Sequence, residues 1–354
     1  MPSILFTLLA LVAVIWAVTV FYLRGPDLSA YDQPTPEGKG KIPPPSPEHL
    51  AVVASLSSIT EIIHSTPRRQ HIAVLRRYMD EMFDGDTLTA QFTPVNAAGV
   101  KAEWVLAPGV DSRRRLLYIH GGAYTMGSPR SHRRLTSKLS ELANVAVLSI
   151  DYRLMPEHPR MAGIEDSRST YRWLLDNGPT GPAAAEAIFV AGDSAGGNLT
   201  LSLIAWVRDQ GLRAPNAAVA LSPATDGTLG SPSLKSNLPT DPMLGPLFKA
   251  LTKIPRIVLL WGGWLVNRKR PCDPVVSPVF GDLAGLPPLL VQCSDMEMLR
   301  DDSRRYVNKA RAAGSPVTLQ SWPHMVHVWQ IFHPDLPEGR EALAEIGKFL
   351  RANA

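Results

Sequence analysis

The residues with the most chemical content lie in Gly192-Asp193-Ser194-Ala195-Gly196, a G-x-S-x-G pattern. It follows the apolar run at 187–191 and leads into Gly197-Asn198-Leu199-Thr200-Leu201. That order predicts a tight strand-to-helix turn. The glycines let neighbouring chain pack close, and the serine is forced into a strained, exposed position at the tip. A serine so placed is a candidate nucleophile for acyl transfer. Five residues are too short a pattern to decide this alone, so the partners matter.

A nucleophilic serine needs donors for an oxyanion, a base, and a group that orients the base. His120-Gly121-Gly122-Ala123-Tyr124 follows the apolar run at 115–119. Its consecutive glycines expose backbone N–H groups, so Gly121 and Gly122 are expected to join the N–H of Ala195 as an oxyanion hole. Tyr124 and Asp193 flank these groups and are candidates for the substrate pocket. The base is expected late in the chain, where His324 and His327 both lie within 321–329. The acid is expected after the apolar run at 286–292, where Asp295, Glu297, Asp301 and Asp302 crowd together. Carboxylate chemistry does not choose among the four, although helix N-capping would account for Asp301 or Asp302.

These groups need a scaffold. The chain has 354 residues, 45% of them hydrophobic, which is ample for a core. Strand-like runs at 115–119, 145–150, 187–191, 217–221, 286–292 and 317–321 alternate with helical spacing at 131–143, 164–176, 194–210, 302–313 and 341–350. Such alternation predicts a mainly parallel sheet with helices on both faces. Residues 50–83 also have helical spacing. Residues 225–278 break the alternation and carry the apolar run 257–266, too short to span a bilayer and placed where a lid could be inserted. It reads as a buried lid helix or as a hydrophobic face that meets lipid or an apolar substrate.

Residues 4–23 hold twenty residues without a charge, enough to cross a membrane as a helix. A cleaved signal peptide is the rival reading, but no basic stretch precedes the run and no small-x-small site follows promptly. An anchor over 1–24 is therefore expected, with Trp16 and Tyr22 fitting it. Arg24, Lys39 and Lys41 follow it and favour a cytoplasmic catalytic domain. Residues 25–49, rich in Pro and Gly, read as a stiff, exposed linker. Net charge is +4. The clusters Arg113-Arg114-Arg115 and Arg268-Lys269-Arg270 read as solvated loop ends, with no nucleic-acid motif beside them. Cys272 and Cys293 are too few for a metal cluster or a disulfide framework, and no motif implies a metal, nucleotide or redox cofactor. A monomer and an oligomer are both compatible with the sequence.

The whole set resembles the hormone-sensitive-lipase branch of the α/β-hydrolases. The resemblance rests on HGGAYTMGSPRSH at 120–132, DYRLMPEHP at 151–159, GDSAGGN at 192–198, LSPATD at 221–226, DPVVSP at 273–278, GLPPLLVQCSDMEMLRDDS at 285–303 and WPHMVHVW at 322–329, in order over about 90–350. It implies an α/β-hydrolase domain over 50–354 with cap elements near 50–88 and 225–278. It implies Ser194 as nucleophile, Glu297 as acid with Asp295 as the alternative, and His327 rather than His324 as base. It makes the Arg153 and Glu157 block a support for the oxyanion loop. The expected activity is carboxylic-ester hydrolysis, as a carboxylesterase or lipase. The alternatives are an arylacetamide-deacetylase-like amide hydrolase, or a non-catalytic ligand-binding member such as the gibberellin receptors.

Overall fold

Eight strands of the computed structural model, which describes residues 2–34 and 44–354, form one sheet. They are β1 (Gln91–Ala97), β2 (Val100–Leu106), β3 (Arg114–Ile119), β4 (Ala146–Asp151), β5 (Ala187–Asp193), β6 (Ala217–Leu221), β7 (Leu289–Ser294) and β8 (Val317–Trp322). Their spatial order is β1-β2-β4-β3-β5-β6-β7-β8. β1 with β2 and β2 with β4 run antiparallel, and every other pair is parallel. Successive side chains of β5 alternate between two cores: Ile188 and Val190 on one face, Ala187, Phe189 and Ala191 on the other. Burial on both faces is why this strand reads as an unbroken apolar run.

The connecting helices Arg133–Ala143, Arg160–Asp176, Ala195–Asp209, Arg300–Ala312 and Pro337–Ala352 lie where the spacing predicts them. The sequence reading missed β1 and β2. β1 is a half-exposed edge strand carrying Pro94, so it lacks a clean alternation, and a proline is tolerated only at such an edge. The two are joined through Ala98 and Gly99, both with positive φ, as a tight hairpin requires.

Four expectations are corrected. The helical region at 50–83 is three helices, Pro47–Ser55, Ser57–Ser65 and His71–Glu81, interrupted at Pro67. Residues 25–34 are not an exposed linker: Leu28 is buried in the main core, and Arg305 grips Asp32 at 2.5 and 2.9 Å. The rest of the Pro- and Gly-rich stretch at 35–43, with Lys39 and Lys41, lies outside the described residues. Arg115 is not solvated; it is buried and donates to the Leu174 carbonyl at 3.0 Å. Within the apolar run 257–266, now the helix Arg256–Asn267, only Leu260 is buried, which removes the buried-lid reading. Cys272 and Cys293 are both buried and unbridged.

Candidate active site

Ser194 sits between β5 and the helix Ala195–Asp209 with φ 52 and ψ −113, far from either element's geometry. The turn is this tight because two glycines leave no room for side chains. A Cβ on Gly196 would lie 1.9 Å from the Ile119 carbonyl oxygen. The end of β3 therefore rests directly on the elbow. Ser194 N–H donates to the Leu221 carbonyl at 2.7 Å, which fixes the elbow against β6. A strained residue held this firmly marks a functional site.

His327 lies on the loop after β8, buried, with Val326 and Met325 packed among Val52, Leu56 and Trp329. Its Nδ1 is 2.6 Å from Glu297 Oε2. Glu297 is fully buried, and its other oxygen accepts the Ser294 N–H at 2.9 Å. Burial alone would lower the His327 pKa, but the hydrogen bond and charge of Glu297 more than offset this and leave it raised. Val328 N–H donates to Ser222 Oγ at 3.3 Å, so the histidine loop is tied to the end of β6, whose Leu221 carbonyl accepts the Ser194 N–H. No hydrogen bond joins the Ser194 hydroxyl to the ring among the described residues; such bonds commonly tighten on substrate binding.

The other acid and base candidates are engaged elsewhere. Asp295 accepts the His324 N–H at 3.1 Å and does not meet His327. Asp302 is buried and accepts the N–H groups of Thr225 and Asp226 at 2.7 and 2.9 Å, pinning the start of the 225–278 segment. Burial, with the charge of Asp226, raises its pKa to about 7. Asp301 accepts the Ser233 N–H at 2.9 Å and pairs with Arg300 and Arg304. Neither caps the helix Arg300–Ala312, whose N-cap is Leu299. Their sequence position suits a cap, but tertiary partners claim them first.

The oxyanion loop departs from expectation at Gly121 and Asp193. Gly121 N–H donates to Asp193 Oδ1 at 3.0 Å and is no longer free. Asp193 is not a pocket residue: it is buried, accepts the Tyr118 hydroxyl at 2.6 Å and meets His132 Nε2 at 3.3 Å. Burial pushes its pKa up, but His132 and the Tyr118 hydroxyl outweigh that and keep it below the usual carboxylate range. The remaining donors are the N–H groups of Gly122, Ala123 and Ala195, which have no acceptor among the described residues. The resemblance already puts Ala123 in the place of a third glycine with its N–H intact; what the sequence hides is that the Gly121 N–H is taken by Asp193. Tyr124 is half-buried beneath the Arg160 guanidinium, 3.6 Å from the ring centroid, and Arg160 in turn bonds Asn198 at 3.0 Å.

The loop is also held from outside. Arg76, on the helix His71–Glu81, donates to the Thr125 and Met155 carbonyls at 2.7 and 3.0 Å and pairs with Glu157 at 2.8 Å. Arg153 pairs with Asp166 at 2.7 Å. Close approach makes one prediction here. A Cβ at Gly121 would lie 2.1 Å from Asp193 Oδ2, so Gly121→Ala is expected to shift the loop and lower kcat about 100-fold or more. Steady-state kinetics beside circular dichroism checks it; unchanged kcat would show the loop is not needed where it sits.

Between the helices Pro47–Ser55 and Ser57–Ser65 and the 225–278 segment opens a groove of about 790 Å³, lined by Val53, Leu56, Ser57, Glu61, Ser65, Pro242 and Pro246. None of the site residues lines it, but Leu56 joins it to the apolar cluster around the His327 loop. No cluster of metal-ligating side chains occurs among the described residues.

A family model described as alpha/beta hydrolase fold matches residues 116–331. An acetyl-hydrolase of Streptomyces hygroscopicus is 42% identical over 251 residues, 71% of this chain and 79% of that protein. The carboxylesterase/phospholipase LipF of Mycobacterium tuberculosis is 34% identical over 264 residues, 73% of this chain and 68% of its own. Among solved structures, an esterase from the bacterial hormone-sensitive lipase family aligns with a TM-score of 0.75 at 38% identity, covering 87% of this chain and 98% of that one. The esterase EstE5, in a crystal soaked by p-nitrophenyl butyrate, aligns at 0.74 and 37% identity over 87% of this chain and 99% of its own. The chain belongs to the α/β-hydrolase family, in its hormone-sensitive-lipase-like branch of serine hydrolases.

Proposed function

We propose that Ser194, His327 and Glu297 carry out the work of this carboxylic-ester hydrolase through an acyl-enzyme. The observation that carries the reading is the 2.6 Å bond between buried His327 and buried Glu297. His327 Nε2 takes the proton from Ser194 as its oxygen attacks the ester carbonyl, and the N–H groups of Gly122, Ala123 and Ala195 hold the oxyanion. Glu297 fixes the tautomer and stabilises the imidazolium, which then protonates the departing alcohol. Water enters and gives a proton to His327 as its oxygen attacks the acyl carbon; the imidazolium then returns that proton to the Ser194 oxygen as its bond to the acyl group breaks and the acid leaves. A fluorophosphonate tests this directly: it should label Ser194, found by peptide mass spectrometry, and abolish ester turnover. Labelling elsewhere with the same loss of activity would sink the assignment.

The pH profile is a second test. A protonated ring cannot accept the serine proton, so activity is present above the His327 pKa and lost below it. Because Glu297 raises that pKa, the acid limb of kcat/KM is expected above the reference value of about 6.5. A limb below that value would contradict the pairing.

Short- to medium-chain or otherwise apolar acyl esters are the substrate class, supported by an acetyl-hydrolase and a butyrate-ester-soaked esterase among the relatives. An acyl-length series of p-nitrophenyl esters, run beside matched anilides, separates this class from amide cleavage. The N-terminal helix anchors the protein. Ile4–Leu23 is apolar enough to cross a membrane, and the end of that segment is part of the folded domain: Leu23 is wholly buried and Trp261 Nε1 donates to Thr19 Oγ1 at 2.9 Å. Signal-peptide cleavage would cut away packed residues. Arg24 after the helix favours the cytoplasmic side for the domain. Mass spectrometry of the mature N-terminus checks retention; a start beyond residue 24 would remove the anchor.

A further inference from the structure

In the helix Arg256–Asn267, Val258, Gly262 and Leu265 follow at intervals of four and three, which places them on one face. Val258 is 55% exposed, Leu265 58% and the adjoining Val266 61%. Soluble surfaces carry such residues singly; a helical stripe of them needs a reason. The adjoining flank of the same helix supplies it. Trp261 bonds Thr19, and the Trp264 ring packs edge-on against Tyr22 at 5.8 Å. These contacts fall at the last residues of the twenty-residue apolar segment, whose mean hydropathy is 2.8 and whose side chains over 4–14 are exposed.

We propose that the exposed face of Arg256–Asn267 lies in the headgroup–acyl boundary of the bilayer that the N-terminal helix enters, so that this segment meets substrate dissolved in lipid. The inference rests on the anchoring reading above. If residues 4–23 span the hydrocarbon, Thr19 to Leu23 lie at its edge, and the helix bonded to them is held at that depth. Tyr22, Trp261 and Trp264 then form the aromatic group favoured at a membrane boundary. Lys249 and Lys253 precede the helix and Arg268, Lys269 and Arg270 follow it, a basic rim suited to anionic headgroups. The same rim disfavours a second copy, since a two-fold contact would set these cations against their own kind.

The full chain, reconstituted in vesicles of phosphatidylcholine with a minority of phosphatidylglycerol, tests this. An environment-sensitive dye is placed at Val258→Cys or Leu265→Cys, with Glu141→Cys as an exposed control; native Cys272 and Cys293 are buried. Lipids carrying a nitroxide near the headgroup should quench the first two about threefold more than the control. Equal quenching overturns the proposal if a dye at Val12→Cys is quenched by a nitroxide at the chain end, because the anchor then stands alone. If Val12→Cys is also unquenched, the anchoring reading itself fails and this inference with it. Dye at Val258→Cys that escapes lipid but self-quenches at high protein-to-lipid ratio assigns the face to a second copy and overturns it. V258E/L265E is expected to slow a long-chain ester in the bilayer about tenfold while sparing a water-soluble acetyl ester; equal loss on both counts against it.

Discussion

Replacing Ser194 by alanine is expected to lower ester turnover by about a millionfold while leaving the melting temperature nearly unchanged. The size follows from the site's division of labour. In the proposed mechanism the base and its carboxylate act only through the serine oxygen, so removing that oxygen silences all three, and what remains over water comes from the oxyanion donors and binding. The fold should tolerate the change because Ser194 is held by its backbone: its N–H bonds the Leu221 carbonyl at 2.7 Å, and its carbonyl accepts from Asn198 at 3.0 Å. Active-site titration on purified variant, with circular dichroism, makes the measurement. Turnover within about a hundredfold of wild type would require another nucleophile.

Glu297→Gln is expected to cost about ten-thousandfold in kcat, and Asp295→Asn only about twofold. Glutamine keeps the volume, and one amide oxygen can still accept the Ser294 N–H. Its –NH₂ would then face His327 Nδ1 and favour the tautomer with the proton on the wrong nitrogen. Glutamine also avoids stranding a charge: Glu297→Ala would leave an uncompensated cavity beside a buried imidazole and cost about 3 kcal/mol or more in stability. Asparagine at 295 can still accept the His324 N–H, so little changes there. The acid limb of the pH profile separates a catalytic from a structural effect, because loss of the Glu297 charge should move it downward. A larger loss at Asp295 would reassign the acid.

The sequence by itself determined the elements whose signals are local. Strands buried on both faces announce themselves as unbroken apolar runs, as 187–191 does for β5. Helices with one buried face keep a 3.6-residue spacing, and the elbow at 192–196 is a short-range steric demand that only glycines meet. The resemblance to relatives then singled out Ser194, Glu297 and His327, and the fold sets Glu297 against His327. Local signals failed where a residue's partner is distant in the chain. Nothing near Asp193 tells that its carboxylate takes Gly121 N–H, 72 residues away, and so withdraws that donor from the loop. Asp302 looks like a helix cap until Thr225 and Asp226 claim it across the fold. Polar residues at 25–34 look like a tether because their anchorage, Arg305 on Asp32, closes a loop of 273 residues. The tertiary structure also decided which face of 256–267 is bare, since periodicity marks an apolar helix but only packing selects the side that is covered.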